Sequence, residues 1–174
     1  MRRYKKPITD EERNVRDPEK ARKKTFDRAV NLLTFKPRSE AELRDRLLEK
    51  AWTNSEIVEE VIGKLKEYNY VNDEDYATSL AASKLRQKPV GPHRLRQELR
   101  RKKLDNDVIE KAIGAAFEEY PEEDLIEEAF AKRVRTRGAP ESRADLKKLF
   151  DHLMRLGFDY DLIRDKLSSM DIDR

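Results

Sequence analysis

The corner Leu104-Asp105, with Ile109 four residues past the aspartate, occurs three times in this chain of 174 residues. Trp52, Thr53 and Ile57 stand in the same relation upstream, and Phe158, Asp159 and Ile163 downstream. Each time an apolar residue precedes a helix-capping type, and a second apolar residue falls at the fourth helical position. That is the pattern of a hydrophobic staple, which fixes the angle at which a chain enters a helix. The flanks match as well. Leu43, Leu95 and Leu149 correspond, as do Leu47, Leu99 and Leu153, and Val61, Ile113 and Leu167, at offsets of 52 and 54 residues for the leading leucines. Apolar and capping positions kept in register at such a period mark an internal repeat, and a repeat confines the chain to stacked copies of one helical unit.

Punctuation between the corners sets the remaining helices. Asp17-Pro18 opens a helix that runs to about Phe35 and buries Phe26, Ala29, Val30 and Leu33 at helical spacing. Ser39-Glu40-Ala41-Glu42 reads as a capping box for the next helix, and a third spans Asn54 to about Tyr68. Asn72 caps a fourth, with Val71 and Tyr76 at its staple positions. Pro92 suits the first turn of the fifth, whose Leu95 and Leu99 share one face. Pro121 opens the seventh, Arg137-Gly138-Ala139-Pro140 breaks it, and Gly157 suits a left-handed residue between the last two. The prediction is an all-α chain of three tandem three-helix repeats, over 17–71, 72–120 and 121–174, in an elongated, curved array. A mobile basic arm over 1–16 precedes it. Hydrophobic residues make up 37% and charged residues 43%, lean for one compact core and ordinary for an array with much surface.

Charge is segregated. Residues 84–103 carry nine Lys or Arg against Glu98 alone, a local +8; residues 105–128 carry ten Asp or Glu against Lys111 alone, a local −9; residues 132–148 return to +5. With Leu95 and Leu99 committed to packing, Arg94, Gln97, Arg100 and Arg101 fall on the opposite side of their helix, with Lys132, Arg133 and Arg137 as companions in the third repeat. Such a row fits the phosphates of nucleic acid and carries no base-reading pattern. The competing reading has the arginines neutralise the acidic helix that follows. A helix-turn-helix reader is disfavoured, because the helix after the middle corner is acidic and a major groove would repel it.

Catalysis finds little footing. There is no cysteine, no Gly-rich phosphate loop, and His93 and His152 lie far apart in no metal-ligand spacing. No cofactor or metal is expected. No apolar run suits a bilayer and no signal-peptide core opens the chain, so a cytoplasmic monomer without membrane contact is expected.

From about Ala29 to Leu167 the chain resembles the RecX family of bacterial regulators of the RecA recombinase. The resemblance is carried by Lys36-Pro37-Arg38-Ser39 with Glu42-Leu43 and Leu47; Asn72-Asp73-Glu74-Asp75-Tyr76-Ala77; Gly91 with Arg94-Leu95, Glu98-Leu99 and Lys102; and Leu153, Leu156-Gly157-Phe158 with Ile163. The family often has glycine before the staple residue; Gly157 keeps it, while Ala51 and Lys103 do not. The resemblance implies a three-helix-repeat protein that binds RecA or its filament on DNA, restrains recombinase and coprotease activity, and acts in DNA repair and the SOS response. A stand-alone, sequence-independent nucleic-acid-binding repeat protein is the alternative on the residues alone.

Overall fold

The structure, a computed structural model, describes residues 8–168 and Met170. Among them are nine α-helices and no strand: α1 (Pro18–Phe35), α2 (Glu40–Leu48), α3 (Ser55–Glu67), α4 (Asp73–Gln87), α5 (Pro92–Arg100), α6 (Asn106–Glu119), α7 (Glu122–Arg137), α8 (Arg143–Leu156) and α9 (Tyr160–Ser168). The expected all-α class is what forms. The helices pack as two compact units, one of residues up to Tyr76 with Lys102–Leu104, the other of Ala77–Arg101 with the chain from Asp105 onward. The second and third helical triplets thus share a unit.

In the first unit, Asp17 caps α1 by accepting from the Lys20 N–H, and Pro18 fills the first turn. The buried stripe of α1 is Ala21, Thr25 and Ala29, small side chains that let α3 approach closely. Phe26 and Leu33 flank it half-buried, and Val30, expected inside, is 37% exposed. Leu43, Leu47, Val58 and Leu65 are fully buried beneath. Ser39 caps α2 through the Glu42 N–H, but the Glu42 carboxylate does not close the expected box. It accepts from Lys102 Nζ at 2.9 Å, while Ser39 Oγ donates to the Lys102 carbonyl at 2.5 Å. α3 ends in a Schellman turn around Asn69 at φ 55, with Tyr70 N–H to the Leu65 carbonyl.

The first corner departs from the other two. Its cap is Asn54, which accepts from the Ile57 N–H; Thr53 instead lies fully buried, hydrogen-bonded to Thr25 at 2.9 Å. Trp52, expected in the core, is half-buried under the ammonium of Lys24. Residues 8–16, read as part of a mobile arm, are pinned to this corner, while 1–7 lie outside the described residues. Asn14 N–H donates to the Ala51 carbonyl. The guanidinium of Arg13, 4% exposed, donates to the carbonyls of Ile8, Leu48, Lys50 and Thr53 and sits 2.8 Å from Asp10.

In the second unit, Leu95, Leu99, Ile109, Leu153 and Ile163 are fully buried, and Phe158 is 1% exposed. Gly157 is left-handed at φ +85 and closes a Schellman turn, with Phe158 N–H to the Leu153 carbonyl. This turn meets the start of α5 backbone to backbone. Gly91 N–H donates to the Leu156 carbonyl at 2.9 Å and His93 N–H to the Gly157 carbonyl at 3.1 Å. A Cβ on either glycine would penetrate the other segment's backbone.

Candidate nucleic-acid interface

The basic helix α5 forms because Gly91 and Pro92 start it and Leu95 and Leu99 anchor one face. Gln97, Arg100 and Arg101 are exposed, as their phase requires, and neither Gln97 nor Arg101 has a side-chain hydrogen bond or ion pair among the described residues. Arg94 differs. It is half-buried against the Gly157 turn, near Glu98 at 3.5 Å, and donates to the Arg155 carbonyl at 3.3 Å.

The acidic helix that follows does not neutralise this row. Its claim falls on one arginine outside the predicted set, Arg96, which holds Glu110 in a two-pronged pair at 2.6 and 2.7 Å. That pairing lowers the Glu110 carboxyl and raises the Arg96 guanidinium. Glu98 is engaged by Lys84 at 2.9 Å. The charge of Arg100 adds to the field that lowers Glu110 without a direct pair, and Arg101 forms no ion pair among the described residues.

On α7, Lys132 and Arg137 are exposed and Arg133 is half-buried. Arg133 and Arg137 line a cleft of about 410 Å³ between the end of α7 and the start of α8, together with Lys148, Glu141 and Asp145. Asp145 is already occupied by Ser142 and Lys148, at 2.7 and 3.0 Å, which hold its carboxyl below the usual range. Gly138, at φ +85, turns the chain out of α7 and into this cleft.

The structure also gathers residues outside the predicted row. Half-buried His152 on α8 has its pKa lowered first by burial and then by the positive charges of Arg133, Arg155 and Lys88. Arg155 connects the two predicted groups, since Arg94 donates to its carbonyl. A wheel drawn for α8 places Arg155 within one turn of His152; its proximity to α5 and α7 depends on the glycine joint and is invisible in sequence. His93 is exposed and apart from this cluster. Among the described residues no three His, Asp or Glu side chains gather to hold a metal, and no helix is long and apolar enough to cross a membrane.

These features define an all-α protein of tandem three-helix units with a basic face on which Arg100 and Arg101 form no ion pair among the described residues. The model of the first three-helix domain of RecX matches residues 26–65, and that of the second matches 72–113. The regulatory protein RecX of Prosthecochloris aestuarii is 32% identical over 149 residues, 85% of this chain and 94% of that protein. The regulatory protein RecX of Lactococcus lactis subsp. cremoris (strain SK11) is 31% identical over 146 residues, 83% of this chain and 54% of that protein. The chain thus spans about half the length of that relative. The crystal structure of RecX from Lactobacillus salivarius superposes with a TM-score of 0.76 at 22% identity, covering 89% of this chain and 99% of that one. A second crystal structure of regulatory protein RecX gives 0.72 at 24% identity, covering 85% and 73%. These two show the shared fold. The chain belongs to the RecX family.

Proposed function

We propose that this protein regulates the RecA recombinase by binding its filament on DNA, restraining recombinase and coprotease activity without catalysis of its own. The supporting observation is the uncompensated charge of α5: Arg96 satisfies Glu110, leaving Arg100, Arg101 and Gln97 free to meet phosphates. Lys132, Arg133, Arg137 and Arg94 extend the contact, with Arg155 and Lys88 beside them. Family membership supports the choice of partner, because its relatives are named regulatory proteins. Phosphate contacts give little sequence preference, which suits a regulator that works wherever a filament lies.

The test compares binding to a RecA filament on single-stranded DNA with binding to the same DNA bare. Tighter binding to the filament, with slowed strand exchange, is expected. Equal affinity for both with no effect on strand exchange would instead identify a nucleic-acid-binding protein independent of the recombinase.

A further inference from the structure

We propose that a groove on the first unit, between α1 and the first corner, accepts an unstacked base of single-stranded nucleic acid on Trp52. The groove, open to solvent, has a volume of about 360 Å³ and is lined by Lys24, Asp27, Arg28, Asn31, Leu32 and Trp52. That volume lies within the roughly 300–1,000 Å³ of small-molecule sites.

Three observations converge there. Trp52 is the chain's only tryptophan and is half-buried, with part of its large ring left open where the staple alignment placed a core residue. The Lys24 ammonium stands 4.5 Å from the ring centroid, and a cation over an indole is readily exchanged for a base while the ammonium turns to the adjoining phosphate. Arg28 lines the groove half-buried and forms no ion pair among the described residues, so its guanidinium is a donor available to an incoming phosphate or base carbonyl. Spacing on α1 aligns Lys24, Arg28, Asn31 and the 86%-exposed Phe35 in one stripe.

The surrounding charge selects the occupant. Residues 18–38 carry seven Lys or Arg against Glu19 and Asp27, a local +5. Of these, Arg22 is held by Glu60 at 2.6 Å and faces α3. Aromatic rings interleaved with cations along a basic surface take the bases and phosphates of a single strand, whereas a duplex keeps its bases stacked inside. This mode is distinct from the phosphate row on α5, and it requires no recombinase.

Trp52 reports on its own site by fluorescence. An oligothymidylate of about 12 nucleotides should quench it saturably. A duplex of equal length, inorganic polyphosphate and thymidine monophosphate should leave it nearly unchanged. Lys24→Gln, at an exposed position, with Arg28→Gln, at a half-buried one, in a variant whose folding is checked by circular dichroism, should weaken the quench by roughly tenfold, the loss of one or two charge-assisted contacts. Arg100→Glu with Arg101→Glu should preserve the quench at saturation. Quenching by polyphosphate or duplex to the same extent would mean charge alone is sensed, and equal quenching by the monophosphate would mean a small-nucleotide pocket. Either result, no quench, or a quench unaltered in the Lys24/Arg28 variant would overturn the proposal.

Discussion

Asn54, the cap, stands seven positions after Leu47, whereas Asp105 stands six after Leu99 and Asp159 six after Leu153. The extra residue has a physical cause. Lys103 at φ 57 and Gly157 at φ +85 reverse the chain within one left-handed residue; Ala51 is not left-handed, so its corner takes a longer path. In sequence both Thr53 and Asn54 are capping types. Nothing local shows that Thr53 turns inward to Thr25, twenty-eight positions earlier. The shift also moves Trp52 out of the core. Phe158→Ala should therefore cost roughly 3–5 kcal/mol, and Trp52→Ala clearly less, in chemical denaturation followed by helical signal. Equal losses would restore the uniform alignment. His152 gives a pH prediction. Burial and the charges of Arg133, Arg155 and Lys88 put its folded pKa below the ordinary 6.5, so the unfolded chain takes the proton first. The stability linked to it is present above 6.5 and is lost as pH falls toward the folded value. A phosphate docked among those cations favours the imidazolium, so DNA affinity should rise a few-fold from about pH 7.5 to about pH 6. His152→Gln should flatten that rise without changing affinity at the higher pH; an identical slope in the variant would place the proton elsewhere.

At the scale of elements, the helices were legible because their punctuation is local. Asp17-Pro18, Ser39, Asn72, Pro92 and Gly157 each start or stop a helix through their own backbone or cap chemistry. What joins the elements was less so. Gly91 reads in sequence as a turn residue before proline, yet its φ of −82 needs no glycine; what excludes a side chain there is the backbone of the Gly157 turn. Gly91→Ala should therefore destabilise the second unit, because backbone cannot step aside as a flexible side chain can. Gly63 and Gly114 lie inside α3 and α6 with open space where a Cβ would stand, so alanine there should stabilise by about 0.5–1 kcal/mol each. Urea midpoints of the three variants separate these effects, and a neutral Gly91→Ala would contradict the backbone joint. The N-terminal segment was illegible for a related reason. Arg13 looks like one more surface cation, and its four carbonyl partners come together only once the first corner has folded.

At the scale of the whole molecule, the alternating blocks of charge were plain in the sequence, but their meaning depended on pairing. A single arginine chosen by helix phase, Arg96, forms an ion pair with the acidic helix; Arg94 pairs with Glu98, and Arg100 and Arg101 form no ion pair among the described residues. Arg94, grouped in sequence with Arg101, is partly committed to the Gly157 turn, so the decisive charge reversal belongs on Arg100 and Arg101, whose side chains are exposed. The most direct measurement is inhibition of RecA strand exchange by Arg100→Glu with Arg101→Glu across a salt series. The double variant should keep its helical content, lose roughly tenfold or more in potency at low salt, and show a log–log salt slope shallower by about 2, as expected when two phosphate contacts are removed. Wild-type potency with an unchanged slope would show that this face does not meet DNA and would contradict the assignment.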